Sequence, residues 1–117
     1  DLARVGMMMA NGGQRQGKQV IPKKWLDDIV QNGDPQAWVE GDFYDEMGQR
    51  DMHYRSKWYV MRDSNPLIFG LGIHGQFLFI DPTKNLSIAW FSSQNNPLNS
   101  PTFEKTFETI QKIRDEF

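Results

Sequence analysis

The chain has no cysteine. Disulfides and thiolate metal sites are therefore excluded, and cysteine usage says nothing about the redox compartment. No apolar run approaches the roughly 18 residues that a membrane-spanning helix needs. No basic block or stripe of the kind that binds nucleic acid is present. Net charge is only −2, from 13 basic and 15 acidic side chains scattered along the chain. Neither a membrane nor a nucleic acid is expected as a partner. Internal repeats and low-complexity stretches are also missing. So is a signal-peptide pattern. The chain opens on Asp1, straight into a helical pattern, as though cut from something longer.

What is present argues for a packed domain. At 117 residues, 38% hydrophobic and 13% aromatic, the chain is one domain or part of one, with enough apolar surface to avoid disorder. Residues 1–33 read as two helices. Asp1 is placed to cap the first, whose apolar face is Leu2, Val5, Met8 and Met9, and Asn11-Gly12-Gly13 ends it. Met7-Met8-Met9 reads as helix packing. Pro22 opens the second helix, with Trp25, Leu26, Ile29 and Val30 as its apolar face. Residues 34–56 show no clean period and read as a long crossover loop.

Residues 57–93 change to strand chemistry. Strands are expected at Lys57–Met61, Leu67–Leu71, Gln76–Ile80 and Leu86–Ser93, with turns at Asp63–Pro66 and Asp81–Asn85. Apolar residues on both alternating sets of the last strand imply that both sheet faces are covered. Residues 100–117 read as a final helix, with Ser100 at the N-cap and Pro101 at N1. Phe103, Phe107, Ile110, Ile113 and Phe117 make one stripe along it, to lie on a sheet face. The expected class is α+β: an antiparallel meander of three to four strands with helices packed on it. Such a sheet should keep an open edge, and an open edge favours pairing with a second copy of the chain.

Gly70-Leu71-Gly72-Ile73-His74-Gly75 fits the spacing of a dinucleotide fingerprint. That fingerprint needs a helix after it and an acidic residue about 20 positions on. Here a strand, Gln76 to Ile80, follows, and Ser92-Ser93-Gln94-Asn95-Asn96 stands where the carboxylate should be. A sharp turn between two strands explains the glycines better. Such a turn exposes backbone N–H groups, so Gly72, Ile73, His74, Gly75 and Gln76 are candidates for a substrate or oxyanion site.

Other chemistry is thin. His53 and His74 are the only histidines and share no metal-ligand spacing, so no metal is expected. No cofactor is expected either. No serine sits in G-x-S-x-G or precedes a lysine by three, and no Ser-His-Asp order stands out. The chain holds no believable nucleophile, and so no catalytic residue of its own. Phe43, Tyr44 and Trp58 are candidates for an apolar pocket wall beside the alternative of plain core packing.

The ordered set Asp1-Leu2-Ala3-Arg4, Asn11-Gly12-Gly13, Gly17-Lys18-Gln19-Val20-Ile21-Pro22 and Trp25 resembles a run of the serine β-lactamase-like superfamily. That superfamily includes class C β-lactamases, DD-peptidases, esterases and 6-aminohexanoate-oligomer hydrolases. Tyr54-Arg55-Ser56-Lys57-Trp58-Tyr59 and Gly72-Ile73-His74-Gly75-Gln76 through Asp81-Pro82 resemble the 6-aminohexanoate-oligomer hydrolase branch most closely. The resemblance implies the C-terminal part of a β-lactamase/transpeptidase-like fold. It implies an acyl-enzyme hydrolase of amides or esters, whose Ser and Lys (S-x-x-K) and Tyr lie upstream, in a part of the parent enzyme that this chain lacks. The family's third motif corresponds to Gly70 through Gln76, without its usual Lys-Thr-Gly. Two registers remain: motif glycine at Gly72, with the Ile73 N–H as oxyanion donor, or at Gly75, with Gln76 in that role. The first is preferred, and in both His74 is expected to face the substrate cleft. The competing reading is a non-catalytic binding or interaction module built on the same sheet-and-helix unit.

Overall fold

The computed structural model describes all 117 residues. A first helix, α1 (Leu2–Ala10), is followed by a two-residue hairpin, β1 (Gln14–Arg15) and β2 (Lys18–Gln19), and by α2 (Lys23–Gln31). Two short helices come next, α3 (Pro35–Val39) and α4 (Phe43–Glu46). Five strands then run as an uninterrupted antiparallel meander: β3 (Met52–Arg55), β4 (Trp58–Met61), β5 (Leu67–Gly72), β6 (Gln76–Asp81) and β7 (Leu86–Trp90). The long helix α5 (Ser100–Asp115) closes the chain. The class is α+β, as the sequence implies.

The sheet has one strand more than expected, and residues 34–56 are not a structureless crossover. Asp34 caps α3, accepting from the Gln36 and Ala37 N–H groups at 2.9 and 3.2 Å. The hidden strand β3 pairs along its length with β4, from Met52 opposite Met61 to Arg55 opposite Trp58. Ser56 and Lys57 join the two, both at positive φ (51° and 73°). That is the geometry of a two-residue hairpin turn, made here without the glycine or asparagine that normally signals it.

Alternation across the strands sorts the core into two clusters, because successive residues face opposite ways. On one face Met52, Leu67, Phe69, Phe77 and Phe79 meet Phe103, Phe107 and Ile110 of α5, with Trp38 and Met47 from the preceding segment. On the other, Val60, Ile68, Leu78 and Ile80 meet Met9 and Ala10 of α1 and Leu26 and Ile29 of α2. Clusters of 10 and 8 buried residues mean that both faces are covered, and the core is a three-layer one. Burying each large side chain contributes about 1.5–3 kcal/mol, so the central strands β5 and β6 are held from both sides.

Helix faces differ in detail from the periodic reading. In α1 the buried stripe is Gly6, Met9 and Ala10, while Leu2 and Val5 are exposed. The reason is a close crossing: a Cβ on Gly6 would fall 2.1 Å from Ser87 Oγ on β7. In α2 Leu26 and Ile29 are buried and Trp25 is exposed. Helix α5 is capped by Asn99, whose side chain accepts from the Thr102 N–H at 3.3 Å, so Ser100 is already inside the helix. Phe117 lies beyond the helix end and is exposed, and the last buried position is Arg114.

Arg114 and Asp81 form a buried ion pair across the α5–β6 contact, Nε to Oδ2 at 2.6 Å. Asp81 also accepts from the Lys84 N–H at 2.9 Å in the β6–β7 turn, and Arg114 donates to the Asn65 carbonyl. His53 is fully buried and serves the same structural end elsewhere. Its Nε2 lies 2.6 Å from the Ile29 carbonyl, an orphan acceptor in the last turn of α2, and its Nδ1 lies 3.2 Å from Arg62 Nη1. A carbonyl only accepts, so Nε2 carries the proton and Nδ1 accepts from the guanidinium. Burial pushes the His53 pKa down, with the Ile29 hydrogen bond opposing.

Candidate functional site

The glycine-rich stretch is a hairpin turn at the end of β5. Gly72 pairs with Gln76 as the last rung of the β5–β6 ladder, and Ile73–Gly75 form a single 3₁₀ turn between them. A strand, β6, and no helix, follows Gly75. The turn is made possible by two left-handed residues, His74 (φ 60°, ψ 28°) and Gly75 (φ 80°). Gly75 is also sterically required: a Cβ there would fall 2.5 Å from Gln94 Nε2.

That contact shows what lies behind the turn. The segment after β7, residues 92–97, is bound to it along its length. The His74 N–H donates to the Pro97 carbonyl at 3.0 Å, and the Gln94 N–H donates to the His74 carbonyl at 3.2 Å. His74 Nδ1 lies 2.8 Å from the Gln94 carbonyl, so Nδ1 is the protonated ring nitrogen. The Gln76 carboxamide binds Ser92 both ways: Oε1 accepts from the Ser92 N–H at 3.2 Å, and Nε2 donates to the Ser92 carbonyl. Gln76 Nε2 also reaches the His74 carbonyl at 3.3 Å.

The candidates therefore separate. Ile73 projects outward with a side chain 62% exposed, and no turn, loop or side-chain acceptor takes its N–H. Gln76 sits in the ladder with its side chain folded onto Ser92. His74 is half-buried, and its ring is bound through Nδ1 to the adjoining loop, while Nε2 makes no hydrogen bond. The ring is thus fixed to the loop through Nδ1, with Nε2 the ring nitrogen left without a protein partner. Gln94 and Pro97 were absent from the sequence reading. A gap of 20 residues with no pattern carries no signal, and Ser92–Asn96 reads only as polar loop.

Phe43, Tyr44 and Trp58 do not converge on one pocket. Phe43 and Tyr44 pack against the cluster beneath α5, and Trp58 packs against the opposite face. There Trp58 overlies Gly70, where a Cβ would meet Trp58 Cζ3 at 3.5 Å. Trp58 is the one of the three beside the strand that ends in the turn. The larger concavities lie elsewhere. One of about 610 Å³ is lined by Lys23, Trp25 and Asp27 on α2, and one of about 430 Å³ by Val30, Asp51, Val60 and Arg62. Residues 70–76 line neither of them, and the turn is an exposed corner of this chain at Gly72 and Ile73.

Two of the serines are accounted for by packing and hydrogen bonding. Ser100 is hydrogen-bonded to Glu46, and Ser87 Oγ is buried against α1 without a partner. No three His, Asp or Glu side chains gather to hold a metal ion. No helix is long and apolar enough to cross a membrane.

Comparison with known proteins gives this geometry a context. A 6-aminohexanoate-dimer hydrolase from Paenarthrobacter ureafaciens is 32% identical over 97 residues, which cover 83% of this chain and 24% of that protein. A solved structure from Bacillus anthracis superposes with a TM-score of 0.76 and 28% identity, over 99% of this chain and 28% of its own. Its name assigns it provisionally as a 6-aminohexanoate-dimer hydrolase. This chain is a relative of the 6-aminohexanoate-dimer hydrolases. It spans about a quarter of the length of these relatives. No protein-family profile matches it. The likeness extends through the turn and both layers of helices, since the structural match takes in nearly the whole chain.

Proposed function

We propose that these 117 residues are the C-terminal part of a serine-nucleophile amide or ester hydrolase, in which they supply an oxyanion donor and part of the substrate wall. The observation that carries this reading is the Gly72–Gln76 turn. It sets Ile73 on an exposed corner, where no turn, loop or side-chain acceptor takes its N–H, and ties His74 and Gln76 on either side of Gly75 to the loop behind. A backbone donor held in this way favours the charge that develops on a carbonyl oxygen during acyl transfer.

In the reaction so read, a serine Oγ from the upstream part of the polypeptide attacks the substrate carbonyl carbon. Its proton passes to a neighbouring base, and the carbonyl π electrons move onto oxygen. The Ile73 N–H, beside a second donor from the nucleophile's own segment, stabilises that oxyanion. Collapse expels the amine or alcohol, which takes the proton, and leaves an acyl-serine ester that water hydrolyses. The Ile73 N–H, which no turn, loop or side-chain acceptor takes, favours Gly72 as the motif glycine over Gly75, because Gln76 is already a rung of the β5–β6 ladder. A linear amide such as the 6-aminohexanoate dimer, for which the relatives are named, is the first substrate to test. The open edge of β7 and the exposed Phe91 and Leu98 beside it give the upstream part a surface on which to pack.

The test is reaction with a fluorophosphonate, which labels activated serines. The protein carrying its upstream region should be labelled, and the 117-residue chain alone should not. Labelling of the short chain would place a nucleophile here and refute the reading. Labelling of neither would favour a binding module on the same scaffold.

A further inference from the structure

We propose that His74 is a positioning residue, whose Nδ1–H bond to the Gln94 carbonyl holds the Ile73 N–H in its outward setting. The inference rests on the hydrolase reading for its catalytic consequence, though not for its geometry. Three of the four hydrogen bonds of His74 end on the loop behind it: N–H to Pro97, carbonyl from Gln94, and ring Nδ1–H to Gln94; the fourth brings Gln76 Nε2 to the His74 carbonyl. The first two are backbone bonds that any residue could make in this conformation. The third belongs to the side chain alone.

The conformation itself needs such a hold. His74 is left-handed, a state that L-residues enter far less readily than glycine, histidine being among the types that tolerate it best. A histidine ring reaching back to a carbonyl 20 residues on is therefore a specific device, for a turn that glycine would form with less strain. Ile73 is its immediate neighbour and shares the peptide plane whose N–H His74 gives to Pro97. Rotation of that plane would re-aim the Ile73 backbone. Displacement of a reacting partner by about 1 Å can lower a rate by about 10². The ring's other nitrogen, Nε2, makes no bond, so the side chain's one fixed contact is with the loop.

Two substitutions separate this role from simple stability. His74→Gly deletes the ring donor while accepting φ +60° without strain. His74→Asn also tolerates that conformation and keeps a short side-chain N–H donor. In the full-length enzyme, turnover of a p-nitrophenyl ester should fall in His74→Gly by about tenfold or more in kcat, with KM changed by less than about threefold. His74→Asn should keep several-fold more activity than His74→Gly. Hydrogen exchange at the His74 amide reads the same clasp without any chemistry, and should speed by about tenfold in His74→Gly and less in His74→Asn. Wild-type kcat in His74→Gly overturns the proposal. So does a raised KM at unchanged kcat, which would mean direct substrate contact. Equal loss in the two variants overturns it as well, since the donated hydrogen bond would then be immaterial. If the wild-type enzyme lacks serine reactivity, the hydrolase reading fails while the exchange data still decide the clasp. Unchanged exchange refutes the clasp whatever the labelling shows.

Discussion

Replacing Ile73 by proline deletes the one oxyanion donor that this chain is proposed to supply, and the local geometry makes the change nearly neutral for folding. Proline forces the residue before it into extended backbone. Gly72 is already there, at φ −106° and ψ 164°. Ile73 begins a 3₁₀ turn, where a φ near the proline value is native. Its side chain is mostly solvent-exposed, so exchanging it for a pyrrolidine ring forfeits little packing. No turn, loop or side-chain acceptor loses a hydrogen bond, because none takes this N–H. The folding free energy should therefore move by no more than about 0.5 kcal/mol, as for ordinary surface substitutions. Loss of one oxyanion donor should raise the acylation barrier by about 2.7–4 kcal/mol, a factor of about 10²–10³. The assay is kcat/KM for an activated ester and the rate of fluorophosphonate labelling in the full-length protein, with a urea midpoint alongside. Ile73→Ala, which keeps the N–H, is the control and should stay within about threefold of wild type. Equal activity in the proline and alanine variants refutes the assignment and transfers it to Gln76 in the other register.

Three further outcomes follow from the scaffold. Arg114→Met leaves the Asp81 carboxylate buried and unpaired, and should cost about 3–5 kcal/mol by urea denaturation, while Asp81→Asn combined with it should recover part of that loss. His53 has a folded-state pKa below the ordinary 6.5, because burial disfavours the imidazolium. Between the two values the unfolded chain binds a proton that the folded chain refuses, so stability should be fully present above pH 6.5 and fall as pH drops below it. His53→Gln should flatten that slope, and an unchanged slope would assign it to other groups. The edge of β7 is unpaired and Phe91 beside it is 72% exposed. The isolated 117-residue chain should therefore self-associate in sedimentation velocity as concentration rises, and a strictly monomeric profile would count against pairing at that edge.

Much of the sheet was legible because its signals were local. Asp81-Pro82 through Asn85 marks the β6–β7 turn, and the Phe and Ile of Gln76–Ile80 mark β6. The glycines around His74 were readable as a turn for the same reason. What escaped depends on partners distant in sequence. β3 was hidden because Ser56-Lys57 takes a turn conformation that its residue types disfavour, and is held there by the pairing of Met52–Arg55 with β4. The buried face of α1 was misread because Leu2 and Val5 look like core until Gly6 is seen against Ser87. At the site, a polar loop gave no sign that Gln94 and Pro97 brace the turn. A His-Gly pair in left-handed backbone hints that something must hold it, but not what.

The division of labour within the chain bears on selectivity. An amide N–H reads only a carbonyl oxygen, which every amide and ester possesses, so the turn cannot choose among substrates by itself. Its precision comes from below. Phe69, Phe77 and Phe79 stack and tilt against one another at 4.9–6.2 Å and against Phe107, and the Asp81–Arg114 pair pins the far end of β6. Such a base holds a donor on a secondary-structure end more closely than a free loop would. On the proposed hydrolase reading, choice among substrates comes from side chains that flank the strand end without touching the reacting carbonyl. On this chain the group so placed is Trp58, laid over Gly70 on the face opposite α5. Gly70 and Gly72 leave that face of β5 without side chains at its end. An acyl chain running along bare backbone there would meet the Trp58 ring first, while the donor at Ile73 would be unaware of its length or shape.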